Sequence, residues 1–168
     1  ELGGEQVYKA AISCANNADL KKEWEGYLEE TLTHQQVLKS IFEELALDPA
    51  KQTPGRQVLK QIASALVKAM GLAKQAGDPK AAELVASECV ILAETKDHLN
   101  WQLNLTPMSE IDTIIAEAII DSVEPNGMLS HSIDEIFEGL QTQFEGTEHE
   151  LEHEEVVAVL HRVQQFDP

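Results

Sequence analysis

Two pairs of side chains in this sequence have the types and the spacing of metal ligands. Glu30 and His34 are four residues apart, and so are Glu94 and His98. Residues four apart on an α-helix lie on the same face, so each pair can present a carboxylate and an imidazole together. Mixed oxygen and nitrogen ligands suit iron or manganese best, and zinc is a further option. The pairs therefore predict a site for one or two metal ions.

Both histidines fall on rows of residues that are otherwise largely apolar. A row that faces a helical core should contain no unpaired charge, because burying one costs several kcal/mol, and a divalent cation would neutralise it. Glu5 and Glu88 are the further carboxylates that fit such a site. We predict six metal ligands: Glu5, Glu30, His34, Glu88, Glu94 and His98. The alternative is ordinary, since a Glu and a His four apart often form only a surface hydrogen bond.

Helices must position these residues, because the apolar side chains recur at spacings of three and four along almost the whole chain. The pattern predicts five helices followed by two short ones. The fourth and fifth helices would begin at a cap followed by proline, Asp78 before Pro79 and Thr106 before Pro107. The two short helices would begin at capping boxes, Ser132 with Glu135 and Thr147 with Glu150. The predicted ranges of the first five are about 4–15, 20–45, 56–75, 79–103 and 107–123.

The first four predicted helices form two similar hairpins, each a shorter helix, an Asp-containing turn and a longer helix. The longer helices carry matching motifs, Glu30 to His34 and Glu94 to His98. Two such hairpins make a four-helix bundle. We therefore predict an all-α protein in which residues 1–105 form the bundle. Residues 106–168 would add helices that pack on it or on a partner subunit.

This order of helices and its Glu…His motifs resemble the ferritin-like superfamily, which includes bacterioferritin and rubrerythrin, over residues 4–105. The resemblance implies two metals bound inside the bundle, used to oxidise iron, to reduce oxygen or peroxide, or to store iron. It makes Glu5 the first-helix carboxylate, Glu30 with His34 the second-helix pair, and Glu94 with His98 the fourth-helix pair.

The sequence departs from the family's pattern at two points. Its Glu and His are separated by three residues, where the family's motif has two, and the segment 56–75 contains no acidic residue. The missing third-helix ligand would then come from Glu88, the first choice, or from Glu117 or Glu124. Without a substitute, the site would be asymmetric, hold one metal or be degenerate.

Charge and cysteine content set the expected partners and compartment. The 30 acidic and 12 basic side chains give a formal charge of −18, which argues against nucleic acid and anionic membrane surfaces as partners. No apolar run is long enough to span a membrane. The two cysteines, Cys14 and Cys89, lie in apolar helical stretches and form no CxxC motif, so we predict buried, reduced thiols and a cytoplasmic location. The chain begins with Glu1, so an earlier targeting segment stays an open question.

Two classes of function follow from this pattern. The first is a metal-dependent oxidoreductase or iron-handling protein, whose partners are metal ions and O2 or peroxide. The second is a helical scaffold or interaction protein with a degenerate metal site, and a homodimer is compatible with either. His149 and His153, in the acidic stretch 148–155, could chelate a metal, but a solvated helix face is the better interpretation.

Overall fold

The protein is all-α, as predicted. The computed structural model describes residues 1–147 and 149–166, and in that part of the chain it contains seven helices and no strand. The helices are α1 (Leu2–Cys14), α2 (Ala18–Glu44), α3 (Pro54–Gln75), α4 (Pro79–Leu105), α5 (Glu110–Asp121), α6 (Ile133–Phe144) and α7 (His153–Val163).

Capping side chains begin several helices where the sequence predicts them. The Asp78 carboxylate accepts hydrogen bonds from the backbone N–H groups of Lys80 and Ala81, at 3.0 and 3.3 Å. It follows Gly77, whose φ of 87° is a left-handed conformation that glycine adopts without strain. Ser132 and Glu135 form the predicted capping box of α6. These signals are local, so the sequence alone is enough to find them.

Two predicted caps are wrong because the threonines serve the preceding helix. The Thr106 hydroxyl donates to the Gln102 carbonyl at 2.7 Å, and Ser109 instead caps α5. The Thr147 hydroxyl donates to the Phe144 carbonyl at 2.8 Å, so it stabilises the end of α6. Helix α7 begins later, where the Glu155 carboxylate accepts from the Glu152 backbone N–H at 2.9 Å.

The helices divide into two compact units, with the division at Ala93 and Glu94. The first unit contains α1, α2, α3 and the first part of α4. The second contains the rest of α4 with α5, α6 and α7. The prediction of a bundle over residues 1–105 and further helices over 106–168 stays a prediction.

The core of the first unit draws on all four of its helical segments. Fully or nearly buried side chains include Val7 of α1, Trp24 of α2, Met70 of α3 and Ala86 of α4. Cys14 and Cys89 are free thiols buried in this core, as predicted. Burial raises the pKa of the Cys89 thiol, with smaller contributions from Glu88 and Cys14. Cys14 and Cys89 therefore pack in this core as small apolar side chains.

The core of the second unit is formed mainly by aliphatic side chains. Ile115, Ile119 and Ile120 of α5 are almost fully buried, as the all-round apolar pattern of that helix suggests. They pack with Val156 of α7 and with Leu103 of α4. The described part of α4 in this unit therefore directs Leu99 and Leu103 inward.

Candidate functional site

The core-facing row of α2 follows the predicted apolar row at Trp24 and Thr31 but continues through Gln35 instead of His34. Its buried side chains are Trp24, Thr31 and Gln35, whereas His34 is 61% exposed and Glu30 is exposed too. Adjacent helix positions are rotated by 100°, so burial of Gln35 turns His34 outward. The His34 imidazole lies 3.3 Å from the Glu1 carboxylate, which is an ordinary surface contact between polar side chains.

Glu5 faces α2 but meets an amide there. Its carboxylate accepts a hydrogen bond from Gln35 Nε2 at 2.8 Å and pairs with Lys9 Nζ at 2.5 Å. These bonds favour the charged form, so Lys9 first and Gln35 second hold the pKa of Glu5 below its ordinary value. The charge that would have needed a cation is therefore satisfied by neighbouring side chains.

The predicted apolar row of α4 lies on the exposed side of that helix. Glu88 is exposed in the first unit, and Glu94 and His98 are exposed in the second. The imidazole of His98 makes a hydrogen bond with the Phe166 carbonyl at 3.2 Å. The inward positions are small or aliphatic residues: Ala82, Ala86, Cys89, Val90, Leu99 and Leu103.

The prediction of an iron, manganese or zinc cofactor is wrong. In residues 1–147 and 149–166, no three His, Cys, Asp or Glu side chains are grouped so that they could hold a metal ion. The six predicted ligands are divided between the two units, with Glu5, Glu30, His34 and Glu88 in the first and Glu94 and His98 in the second.

His149 and His153, the other pair of histidines four residues apart, contact two different carboxylates. His149 Nε2 lies 3.1 Å from the Glu155 carboxylate, and His153 Nε2 lies 2.9 Å from the Asp134 carboxylate. Glu148 lies outside the described residues. These contacts connect the α7 segment to its own cap and to α6, as expected of a solvated, charged surface.

Charge is the feature that most distinguishes the two units. Residues 94–168 carry 17 of the 30 acidic side chains but only two basic ones, Lys96 and Arg162. Both basic side chains bond to groups of the second unit itself. Lys96 donates to the Asp121 carbonyl at 2.8 Å, and Arg162 donates to the Pro107 carbonyl at 2.8 Å and lies 3.4 Å from Asp112. The second unit therefore presents an acidic surface.

This acidic surface includes two large apolar side chains one helical turn apart. Trp101 is 54% exposed and Leu105 is 73% exposed, both on α4. Each lies two residues after an inward-facing leucine, Leu99 or Leu103. A displacement of two residues is a rotation of about 200°, which places Trp101 and Leu105 opposite the core. We call Trp101 and Leu105 the α4 apolar pair.

The second unit also has a shallow depression of about 260 Å³. It is lined by α5, α6 and the turn between them, with Ser122, His131 and Glu135 as its main polar side chains. Glu135 is already engaged by Ser132 in the capping box. Glu135 is therefore not available to bind a ligand in the depression. The acidic surface and the α4 apolar pair define the candidate site better.

Comparison with known proteins relates this second unit to a transcription family. Residues 89–168 match the family model of the sigma-54 factor core binding domain. The match is just under half of the chain, and it begins five residues before the second unit does.

Curated relatives agree with the family model. The RNA polymerase sigma-54 factor of Pseudomonas putida is 45% identical over 73 residues, 44% of this chain and 14% of that protein. The factor of Shewanella violacea is 44% identical over 72 residues, 43% of this chain and 13% of that protein. That of Escherichia coli K12 is 40% identical over 73 residues, 44% and 14% respectively. The chain thus spans about a seventh of the length of these relatives. No solved structure matches it.

These findings correct the functional predictions from the sequence. The ferritin-like assignment, with its metal-dependent oxidoreductase or iron-handling function, is wrong, because the similarity found is to sigma-54 factors. The predicted partners, metal ions and O2 or peroxide without nucleic acid, are wrong for the same reason. Among the described residues, none of the helices is both long and apolar enough to cross a bilayer.

Sequence reasoning missed the features that now define the site. The uneven division of charge between the two parts of the chain was readable from composition alone. The α4 apolar pair was not, because Trp101 and Leu105 continue an apolar row that also fits a buried helix face. Only the burial of Leu99 and Leu103 shows which row faces the core.

Proposed function

We propose that the second unit docks on the RNA polymerase core enzyme, as part of the core binding domain of a sigma-54-type transcription factor. The match of residues 89–168 to that family model is the observation that carries the proposal. Identities of 40–45% over 71–73 residues with RNA polymerase sigma-54 factors support it.

The physical character of the second unit agrees with a docking role. Its core consists mainly of buried aliphatic side chains, and its described residues contain no group of side chains that could hold a metal ion. We therefore place its function on its surface. An acidic surface attracts a basic partner surface and speeds association with it. RNA polymerase binds nucleic acid, and proteins that do so present basic surfaces.

Binding of the full chain to purified RNA polymerase core, followed by biolayer interferometry, tests this function. We expect saturable binding that full-length sigma-54 factor from Escherichia coli displaces. The association rate should fall as salt rises, because exposed charges are screened beyond about 10 Å at 0.1 M salt.

An unrelated acidic helical protein of similar net charge serves as the control for charge alone. Binding no stronger than that of the control, or binding that sigma-54 factor fails to displace, would reject the proposal. A cytoplasmic location follows from this function, since bacterial RNA polymerase works there.

For the first unit we propose a structural role as a four-helix bundle of α1, α2, α3 and residues 79–93 of α4. The shared core of Val7, Trp24, Met70 and Ala86 supports this arrangement. The bundle would act as a packing module attached to the docking unit, without a metal centre.

A further inference from the structure

We propose that the α4 apolar pair, Trp101 and Leu105, inserts into an apolar pocket with a basic rim on the RNA polymerase core. This inference rests on the proposed function and names the part of the second unit that makes the contact. The partner is therefore a protein surface, and the α4 apolar pair supplies the apolar centre of the interface.

The first argument is that the pair is exposed by the geometry of α4. Leu99 and Leu103 face the core of the second unit, so the opposite side of the helix carries Trp101 and Leu105. Apolar side chains are commonly exposed one at a time, but Trp101 and Leu105 are both more than half exposed and lie one helical turn apart on the same face. Tryptophan is also the residue most enriched at the energetic centres of protein interfaces.

The second argument is charge complementarity. Asp97 lies one turn before Trp101 and is exposed, and the whole second unit carries 17 acidic side chains against two basic ones. Lys96 and Arg162 bond to groups of the unit itself, so neither basic side chain is free to offset Asp97 and the other acidic side chains of the unit. A pocket that accepts the pair should therefore be rimmed by Lys or Arg. An anionic lipid surface would be repelled.

The third argument is position along the chain. The pair lies within residues 89–168, the part that matches a core binding domain. Leu84 provides an internal comparison, because it is 62% exposed on the same helix but precedes the matched residues. If exposure on α4 were sufficient for docking, Leu84 would contribute as much as Leu105.

Matched alanine variants of the full chain test this inference through their affinity for RNA polymerase core. We expect Trp101→Ala to weaken binding about 30-fold or more, the loss typical of a central interface residue. Leu84→Ala should stay within about twofold of the unaltered chain. Since Trp101 is outside the core, far-UV circular dichroism of Trp101→Ala should match that of the unaltered chain.

Site-specific cross-linking gives a second readout that does not depend on affinity. A photoreactive p-benzoyl-phenylalanine placed at position 101 should cross-link to a polymerase subunit, and the same group at position 84 should not. If the unaltered chain binds but Trp101→Ala binds equally well and position 101 fails to cross-link, the surface is wrong and the proposed function stands. If the unaltered chain does not bind at all, the proposed function and this inference both fall.

Discussion

Gln35 connects two helices of the first unit through its side-chain amide. Its Nε2 donates to the Glu5 carboxylate at 2.8 Å and to the Glu1 carbonyl at 3.4 Å, and the residue is only 7% exposed. A buried amide without these acceptors would lose its bonds to water and gain nothing in return. The bonds of Gln35 therefore hold α1 against α2 in one alignment.

Replacement of Gln35 by alanine tests this role against its neighbour His34. We expect Gln35→Ala to lower the free energy of unfolding by about 1–3 kcal/mol, because a buried hydrogen bond and packed volume are lost. His34→Ala should change it by less than about 0.5 kcal/mol, since that side chain is exposed. Urea unfolding followed by circular dichroism measures both. Equal losses would mean that the exposed contact between His34 and Glu1 stabilises the fold as much as the buried hydrogen bonds of Gln35 do.

These two residues also show how far the sequence can be interpreted. Spacings of three and four predict a helix over about 20–45, close to the observed Ala18–Glu44, and Trp24 identifies its buried side. The same spacings fit a row through Gln35 as well as a row through His34, because the two positions differ by only 100°. Which row faces inward depends on contacts with α1, such as that between Gln35 and Glu5, which lie 30 residues apart in the sequence.

At the scale of the helix, the sequence specifies where a helix begins and ends better than which of its sides is buried. The predicted α6 begins where Ser132 and Glu135 exchange hydrogen bonds, at 3.2 Å to the Glu135 N–H and 2.8 Å to the Ser132 N–H. A cap needs only residues within one turn, so its residues can be identified without knowledge of the fold. The exceptions, Thr106 and Thr147, are hydroxyls that bond backward to the helix they end.

The α6 capping box makes a prediction with a pH dependence. Ser132→Ala should cost about 1 kcal/mol of unfolding free energy at neutral pH. Hydrogen bonds from the Ser132 backbone N–H and then from its hydroxyl hold the pKa of Glu135 below its ordinary value. The stability that Glu135 contributes is thus present above the ordinary carboxylate pKa, and it is lost as pH falls through the lowered value.

Carbon-detected NMR titration of Glu135 measures this effect directly. In Ser132→Ala the pKa of Glu135 should move upward toward its ordinary value, because one of its two donors is gone. Thr142→Ala, at an exposed position within α6, should leave that pKa unchanged and stability equal or slightly higher. An unaltered Glu135 titration in Ser132→Ala would show that the Ser132 hydroxyl does not bond to the Glu135 carboxylate in solution.

At the scale of the molecule, the chain contains two separate cores. Met70 of the first core is 0% exposed and Ile119 of the second is 1% exposed, and their neighbours belong to different clusters. Chain length gave no sign of this division, since 168 residues suit a single domain equally well. The similarity to sigma-54 factors covers residues 89–168, the part that holds the second core.

Hydrogen exchange of core variants tests the division. Met70→Ala should destabilise the first core by about 2–5 kcal/mol and speed amide exchange in α1 and α3. Exchange in α5 and α7 should be nearly unchanged. Ile119→Ala should give the reverse pattern. If either variant speeds exchange equally in both sets of helices, the chain unfolds as one cooperative block and the two cores are not independent.

The two tryptophans of the chain lie one in each unit and in opposite surroundings, with Trp24 3% exposed and Trp101 54% exposed. Intrinsic fluorescence should therefore be the sum of a short-wavelength emission from Trp24 and a long-wavelength emission from Trp101. Neutral acrylamide should quench mainly Trp101. Relative to a free tryptophan amide, caesium should quench that emission more and iodide less, because the acidic surface of the second unit concentrates cations and excludes anions. The quenching of Trp101 fluorescence by ions therefore reports the electric potential in the solvent next to α4.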